Sequence, residues 1–200
     1  RKGRVLDGDH ILYLWGSSLK EQNLLPEKRL VATIMSNLGF EKTWEKEGGL
    51  LDRTPVGDKH VHKAIIDTKA GLGGEQSGHI LSRINNLCGD GILTALQMSK
   101  ICNQKEIYLS ELLDQSFTPY PQQLINVKIG KDVTNENLSQ CQKFQSSIER
   151  AKLELGKDSR ILIRKSGTEP LLRIMIESMD KVSLNYWIST ISNIASSEFS

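Results

Sequence analysis

The 200-residue sequence predicts a three-layer α/β domain with a mainly parallel sheet, followed by a smaller α+β domain with a mainly antiparallel sheet. Three observations lead to this prediction. Short apolar runs alternate with helix-like segments across residues 1–113, as is typical of parallel βαβ units. Pro119 and Pro121 favour a linker over about 114–122. Within residues 114–200, neighbouring strand-like segments indicate antiparallel pairing.

The predicted first domain begins with a helix. Asp7 and Asp9 flank Gly8, and carboxylates at a helix start cap free N–H groups and meet the positive end of the helix dipole. The apolar run 30–35 is then typical of a strand buried on both faces. The other predicted elements are a helix over 40–48, a strand over 50–56, a helix over 57–66, a strand from Leu72 and a long helix from Asp90.

The predicted second domain combines strands with two helices. No internal repeat and no low-complexity segment interrupts the chain. The predicted elements are a strand over 124–129, a helix over 138–155, strands over 160–164 and 171–177, and an amphipathic helix over 184–195.

Composition and charge restrict the classes of function. Hydrophobic residues make up 38% of the chain and charged residues 25%, with a net charge of +2, which is ordinary for a globular protein. No cluster of Lys and Arg with interleaved aromatic residues indicates nucleic-acid binding, and no apolar run reaches the length of a membrane span. We therefore expect neither a nucleic acid nor a membrane as a partner.

The cysteines and the first residue bear on the location and completeness of the chain. Cys88, Cys102 and Cys141 are odd in number, widely spaced and without a C-x-x-C pair. This pattern indicates reduced thiols in a cytoplasmic protein rather than disulfides or a zinc site. The sequence opens at Arg1 with neither an initiator Met nor a signal peptide, so we expect a fragment of a longer protein.

The most informative segment is the phosphate loop, residues 164–173, which reads RKSGTEPLLR between two apolar stretches. Arginine presents a planar fork of donors that matches phosphate oxygens, Ser and Thr add hydroxyl donors, and Gly lets backbone N–H groups approach closely. The segment therefore predicts an oxyanion site of phosphate type. An ordinary turn with a solvated arginine at each end is the alternative. The candidate ligands are Arg164, Ser166, Gly167, Thr168 and Arg173.

A second candidate is the sugar-recognition loop, residues 73–79 (GGEQSGH), at the carboxyl end of a predicted strand, where open parallel sheets bind ligands. Glu75 and Ser77 suit vicinal sugar hydroxyls, since a carboxylate accepts two hydrogen bonds and a hydroxyl both donates and accepts. Histidine titrates near neutral pH, so His79 is a candidate for proton handling. A Gly-rich turn with a helix-capping Glu and a structural His is the alternative.

A third segment, residues 53–60 (RTPVGDKH), leads from a strand end into a helix start, a position that favours anions. Gly57 and Lys59 are secondary candidates there, because Lys59 adds positive potential. A capped helix with solvated basic residues explains the same pattern equally well. Residues 88–91 (CGDG) are interpreted as a helix start, and we assign no metal ligand in this chain.

The sugar-recognition loop and the phosphate loop together resemble the α-D-phosphohexomutases. The resemblance implies the C-terminal half of a four-domain enzyme, with the third domain over residues 1–113 and the C-terminal domain over 114–200. It covers essentially the whole chain through the further segments VATIMSNLGF (31–40), RTPVGD (53–58), GDGI (89–92), TALQ (94–97) and YPQ (120–122).

The resemblance also implies residue roles. Glu75, Gln76 and Ser77 would bind the sugar, and His79 would handle a proton near the reacting sugar oxygen. Gln76 stands where phosphomannomutase/phosphoglucomutase relatives often carry Met, which favours the branch acting on glucosamine phosphates. Lys165 stands where many relatives have Pro and would add a positive charge near the phosphate. The non-reacting phosphate would be held by Arg164, Ser166, Gly167 and Thr168, with Arg173 in support.

The implied reaction interconverts glucosamine 6-phosphate and glucosamine 1-phosphate through a phosphoserine and a bisphosphate intermediate, for UDP-N-acetylglucosamine and cell-wall precursors. The family's phosphoserine and magnesium loops have no counterpart here, and residues 7–9 (DGD) resemble the magnesium loop only superficially. The resemblance thus implies Mg²⁺ and a glucose or glucosamine bisphosphate activator for the whole enzyme, metal ligands in missing N-terminal domains, and an inactive fragment. A phosphomannomutase/phosphoglucomutase and a stand-alone sugar-phosphate-binding module are the alternatives.

Overall fold

The computed structural model describes residues 3–84 and 87–200. Arg1, Lys2, Asn85 and Asn86, which fall inside the predicted first domain, lie outside the described residues. The chain divides into two compact units, unit 1 (residues 1–119) and unit 2 (residues 120–200). Within the described ranges, the helices lack the length and apolar composition that a membrane span requires.

Unit 1 alternates helices and strands in the predicted order. Asp7 caps the first helix, as predicted, because its carboxylate accepts a hydrogen bond from His10 N at 3.1 Å. The strand at 80–82 and the helix at 109–114 were not predicted, because segments this short carry little periodicity. The elements are α1 (Gly8–Glu21), a 3₁₀ turn (Pro26–Lys28), β1 (Arg29–Thr33), α2 (Leu38–Lys46), β2 (Leu50–Thr54), α3 (Asp58–Thr68), β3 (Leu72–Gly74), β4 (Ile80–Ser82), α4 (Gly91–Lys105) and α5 (Leu109–Asp114).

The sheet of unit 1 has the strand order β2-β1-β3-β4. β1 pairs in parallel with β2 and β3, and only β4 runs antiparallel, so the predicted mainly parallel sheet is confirmed. Successive side chains of β1 enter different cores: Leu30 and Ala32 pack with α1 and α2, whereas Val31 packs with Val61 and Ile65 of α3. Helices therefore cover both faces, which confirms the three-layer architecture.

Phe117, in the segment predicted as a linker, belongs to the core of unit 1 and is only 4% exposed. Its ring stacks on Phe40 with centroids 5.5 Å apart and on His10 at 4.7 Å. Aromatic pairs at this spacing contribute beyond the area they bury. The chain therefore contributes to the core of unit 1 at least as far as Phe117.

Unit 2 is a three-stranded sheet with helices on one face. The strand order is β5-β7-β6 with every pairing antiparallel, which confirms the prediction for the second domain. Leu172, Ile174 and Ile176 of the central strand pack with the two long helices. The elements are β5 (Gln122–Lys128), α6 (Asn135–Gln140), α7 (Gln142–Leu155), β6 (Ser159–Lys165), β7 (Leu171–Ser178) and α8 (Lys181–Phe199).

The single helix predicted over 138–155 is wrong, because the chain breaks at Cys141. This residue has φ −72° and ψ 98°, which is extended backbone, and it separates α6 from α7. In a continuous helix Leu138 and Phe144 would lie about 120° apart around the axis. Both side chains are buried in the core of unit 2, and the break allows both to face it.

Candidate functional site

In unit 1, three loops leave the sheet at the same edge. Thr33 lies opposite Thr54 in the β1–β2 pairing, and Ala32 lies opposite Gly74 in the β1–β3 pairing. The carboxyl ends of these parallel strands are therefore level. The loops that follow them, 34–37 (the β1–α2 loop), 55–57 and the sugar-recognition loop, start side by side, which is the position where open parallel sheets bind ligands.

Glu75 is the buried anchor of the sugar-recognition loop. Its side chain is 9% exposed, and Oε1 accepts a hydrogen bond from Gly57 N at 2.6 Å. Gly57 has φ +120°, a conformation that favours glycine, and stands at the start of α3. The backbone N–H of Gly57, which the sequence indicated as a candidate donor to an anion, therefore binds Glu75 instead. The second carboxylate oxygen, Oε2, is the one left for a ligand.

The other predicted residues of this loop differ in exposure. Gln76 is half-buried and its carbonyl accepts from Gly8 N at 2.9 Å, whereas Ser77 and His79 are exposed. Lys59, one residue into α3, is also exposed. These side chains are accessible to a ligand beside Glu75.

Asp58 contacts His79 and was not predicted as a site residue. Its Oδ1 lies 3.2 Å from His79 Nδ1. Such a contact favours the tautomer with the proton on Nδ1, which leaves Nε2 as a proton acceptor. Asp58 is the first residue of α3, so its sequence position indicated only a helix start.

Asp9 is a second such residue, since its sequence position indicated only a helix start. It is fully buried, and its Oδ2 accepts from Asn37 N at 2.8 Å. Burial raises the pKa of this carboxyl to about 6, the hydrogen bonds from Asn37 and Ser36 and the charge of Arg53 oppose the rise, and the charge of Asp7 adds to it.

Arg53 holds the β1–α2 loop from the other side. Its guanidinium donates to the Thr33 and Ser36 carbonyl oxygens at 3.1 and 2.9 Å. Two further donors reach Glu41 Oε2 at 3.0 and 2.7 Å. Arg53 therefore shapes the loop, and four of its five N–H donors are occupied by protein oxygens.

In unit 2, the two arginines of the phosphate loop are cross-strand neighbours. Arg164 of β6 lies directly opposite Arg173 of β7, and Asn126 of β5 lies opposite Arg173 on its other side. The three side chains form one row across a single face of the sheet. This is the face opposite to Leu172 and Ile174, which pack against the helices.

The turn between these strands is held by Ser166. This residue is 7% exposed, its N–H donates to the Leu171 carbonyl at 2.8 Å, and its Oγ accepts from Glu169 N at 3.3 Å. Gly167 and Thr168 are exposed at the tip of the turn. Ser166 thus braces the turn, while the next two residues are the accessible ones.

Arg173 is only loosely engaged within unit 2. Its closest carboxylate contact is Glu169 Oε2, 3.6 Å from Nη2. Its Nε is buried and has no hydrogen-bond partner among residues 3–84 and 87–200. The guanidinium therefore keeps a donor that no described residue takes, and the Arg173 side chain as a whole is 34% exposed.

The expectation that Lys165 adds charge near the phosphate is wrong. Side chains alternate along a strand, so Lys165 points to the face opposite to Arg164. Its Nζ donates to the carbonyl of Val133. Lys165 therefore ties the segment before α6 to β6.

The described residues bear on metals and thiols as well. In residues 3–84 and 87–200, no three His, Cys, Asp or Glu side chains are grouped so that they could hold a metal ion. Cys88, Cys102 and Cys141 are free thiols. Burial raises the pKa of the Cys102 thiol.

Comparison with known families agrees with this fold and these loops. The model of the phosphoglucomutase/phosphomannomutase alpha/beta/alpha domain III matches residues 7–120, and that of the phosphoglucomutase/phosphomannomutase C-terminal domain matches residues 124–193. The chain therefore belongs to the phosphoglucomutase/phosphomannomutase family. Its predicted assignment to the third and C-terminal domains is confirmed.

Curated relatives narrow the comparison. A phosphoglucosamine mutase of Prochlorococcus marinus is 62% identical over 198 residues, which is 99% of this chain and 43% of that protein. A phosphoglucosamine mutase of Synechococcus sp. (strain CC9311) is 52% identical over 194 residues, 97% of this chain and 43% of that protein. The chain thus spans less than half the length of these relatives.

Solved structures share the fold at much lower identity. N-acetylphosphoglucosamine mutase of Aspergillus fumigatus matches with a TM-score of 0.81 at 20% identity, over 98% of this chain and 44% of that chain. A phosphoglucomutase/phosphomannomutase family protein of Burkholderia thailandensis matches with a TM-score of 0.74 at 17% identity, over 98% of this chain and 43% of that chain. At these identities the likeness shows the fold alone.

Proposed function

We propose that this chain is the C-terminal half of an enzyme that interconverts glucosamine 6-phosphate and glucosamine 1-phosphate. The identity to phosphoglucosamine mutases supports this proposal, as does the match to the last two domains of the family. Gln76 at the centre of the sugar-recognition loop supports the glucosamine branch. The chain alone is proposed to bind sugar phosphate weakly and to have no mutase activity.

The observation that carries the proposal is the pair formed by Arg164 and Arg173. Like charges directly opposite each other on neighbouring strands destabilise a sheet. No carboxylate within the described ranges pairs with Arg164, and Arg173 contacts Glu169 only at 3.6 Å. A phosphate bound by both forks would relieve the repulsion and gain charge-assisted hydrogen bonds. Gly167 and Thr168 at the tip of the turn would supply further donors, with Ser166 bracing them.

Unit 1 is proposed to recognise the sugar. Glu75 Oε2 and the Ser77 hydroxyl would contact vicinal hydroxyls, and Gln76 would discriminate between sugars. His79, oriented by Asp58, would accept a proton at Nε2 from the reacting sugar hydroxyl. Because Gly57 N already binds Glu75 Oε1, the carboxylate keeps one orientation when a ligand arrives.

In the proposed reaction, a phosphoserine outside this chain transfers its phosphoryl group to the free hydroxyl of the hexosamine phosphate. The bond between serine oxygen and phosphorus breaks, the bond to the sugar oxygen forms, and the sugar hydroxyl proton leaves to a base. The bisphosphate then reorients and returns its other phosphoryl group to the serine. The phosphate loop suits both orientations, since arginine forks and backbone donors bind a phosphate whichever carbon bears it.

Magnesium, which neutralises charge in phosphoryl transfer, is proposed to be held by the N-terminal domains. Solved structures of the Aspergillus fumigatus N-acetylphosphoglucosamine mutase contain GlcNAc-6P and magnesium in one case and glucose 1,6-bisphosphate in another. These complexes support a bisphosphate intermediate or activator for the whole enzyme.

Activity assays on two proteins test the proposal. The first is this chain alone, and the second is this chain joined to the N-terminal half of the Prochlorococcus marinus relative. We expect no turnover by the first, and turnover of glucosamine 6-phosphate in preference to glucose and mannose phosphates by the second. Turnover by the chain alone would contradict the proposed division of labour, and a preference for glucose or mannose phosphates would contradict the choice of substrate.

Binding of sugar phosphate by the chain alone is measured separately by calorimetry. Weak binding that is lost in Arg164→Gln is expected. Tight binding by the chain alone, together with an inert joined protein, would instead favour a stand-alone binding module.

A further inference from the structure

The first turn of α1 contacts two of the loops at the sheet edge of unit 1. Gly8 N donates to the Gln76 carbonyl at 2.9 Å, in the sugar-recognition loop. One residue further, Asp9 Oδ2 accepts from Asn37 N at 2.8 Å, in the β1–α2 loop. A single turn of helix thus joins two loops that are far apart in the sequence.

Gly8 permits a backbone contact that no other residue would allow. A Cβ at position 8 would lie 1.9 Å from the Glu75 carbonyl oxygen and 2.9 Å from Gly78 N. Both are backbone atoms, so no side-chain rotation can relieve the overlap. Any side chain at this position must displace the sugar-recognition loop or the helix.

Asp9 is not required as a helix cap, because Asp7 already accepts from His10 N. Its carboxylate is fully buried, and Oδ1 has no hydrogen-bond partner in the part of the chain that the structure describes. Burying a charged group is costly. The carboxylate is therefore buried at a cost, and the two residues that hydrogen-bond to it, Asn37 and Ser36, both lie in the β1–α2 loop.

We propose that the first turn of α1, through Gly8 and Asp9, is the positioning element of the sugar-recognition loop. It fixes the backbone of this loop relative to the β1–α2 loop, so that Glu75 and Ser77 are held ready for sugar hydroxyls. The inference rests on the proposed function for its ligand but not for its geometry. Such positioning matters, because a misplacement of about 1 Å in a site can lower the rate about 100-fold.

Nuclear magnetic resonance of the unmodified chain tests the geometry without a mutation. We expect a scalar coupling across the hydrogen bond from Gly8 N to the Gln76 carbonyl. We also expect slow hydrogen exchange at the Gly8 and Asn37 amides. Fast exchange at both amides, with no coupling, would overturn the proposal whatever reaction the enzyme catalyses.

Two glycine variants test whether the turn controls the loop. Gly8→Ala is compared with Gly91→Ala, since Gly91 is likewise the first helical residue after an aspartate cap but has open space around its Cβ position. We expect Gly8→Ala to shift the amide resonances of the sugar-recognition loop and Gly91→Ala to leave them in place. Equal spectra of the loop in both variants would refute the inference.

The Asp9 contact is tested by Asp9→Asn and Asp9→Ala. Asparagine keeps an oxygen that can accept from Asn37 N, so Asn37 should retain slow exchange in Asp9→Asn and lose it in Asp9→Ala. If Gly8→Ala fails to fold, these two Asp9 variants still test whether the first turn of α1 holds the β1–α2 loop. Unchanged exchange in Asp9→Ala would contradict the proposal.

The joined enzyme links the geometry to catalysis. We expect Gly8→Ala to lower kcat/KM for glucosamine 6-phosphate about 100-fold, mainly through KM, while Gly91→Ala stays at the wild-type value. A shifted loop with unchanged kcat/KM would refute the positioning role. If the unmodified joined enzyme is inert, the proposed function fails, but the resonance measurements still decide whether the turn positions the loop.

Discussion

Replacing Asp9 by asparagine should change how the stability of unit 1 depends on pH. Burial raises the pKa of the Asp9 carboxyl from 3.8 to about 6. When folding raises the pKa of a carboxyl, the folded state is more stable with this carboxyl protonated than with it ionised. A shift of about two pKa units corresponds to a contribution of about 3 kcal/mol to the free energy of unfolding. This contribution is fully present below about pH 4 and is lost as the pH rises through about 6.

Asp9→Asn cannot ionise, so its stability lacks this dependence. From about pH 4.5 to about pH 7.5, the free energy of unfolding of the wild type should fall by about 2 kcal/mol relative to that of Asp9→Asn. Urea unfolding followed by the fluorescence of Trp15 and Trp44, both in the core of unit 1, measures the difference. Trp187→Phe in every protein removes the signal of unit 2.

The exposed Asp67 on α3 provides the control. Asp67→Asn should follow the wild type at every pH, since its carboxyl is not buried. If Asp9→Asn also runs parallel to the wild type between these pH values, the reasoning from burial of Asp9 is refuted.

Three further predictions concern unit 2. Arg164→Gln or Arg173→Gln should abolish the rise in melting temperature that inorganic phosphate produces. Without phosphate, either variant should be as stable as the wild type or up to about 1 kcal/mol more stable, because the repulsion between the arginines is removed. A loss of stability without phosphate would show that the arginine pair is structural. Lys165→Ala should leave phosphate affinity in calorimetry within about twofold, because the side chain points away from the arginines; a tenfold loss would contradict this. Glu177→Gln should lower the free energy of unfolding in urea by about 3 kcal/mol, because it breaks the 2.7 Å ion pair between Arg160 and a fully buried carboxylate. A loss below about 1 kcal/mol would refute this expectation.

Sequence patterns predicted the order of helices and strands along the chain better than they predicted contacts between distant segments. The buried run at β1 and the caps at Asp7 and Asp90 follow from local chemistry, which a single sequence carries. The break at Cys141 does not, because it depends on which sides of α6 and α7 face the core of unit 2. Tertiary packing decides such a point, and periodicity alone favoured one helix.

The candidate site shows the same limit. Glu75 and Arg164 were predicted from their residue types within short motifs. The contact of Glu75 with Gly57, and that of Asp9 with Asn37, join segments separated by loops and strands. Both contacts depend on the pairing of β1, β2 and β3, whose carboxyl ends lie side by side at one edge of the sheet. The register that places Arg164 opposite Arg173 likewise comes from the pairing of β6 with β7.

The antiparallel pairing of β6 with β7 has a consequence for how the protein acquires its phosphate loop. Both arginines and the turn between them lie in one hairpin, whose strands are joined by only the residues 166–170. Closing so short a connection requires little loss of chain entropy, and local contacts form early in folding. The sugar-recognition loop, by contrast, is complete only after helices and strands from residues 8 to 80 have assembled. During synthesis the sugar-recognition loop would therefore form only after distant segments have assembled, whereas the arginine hairpin depends on contacts between neighbouring segments.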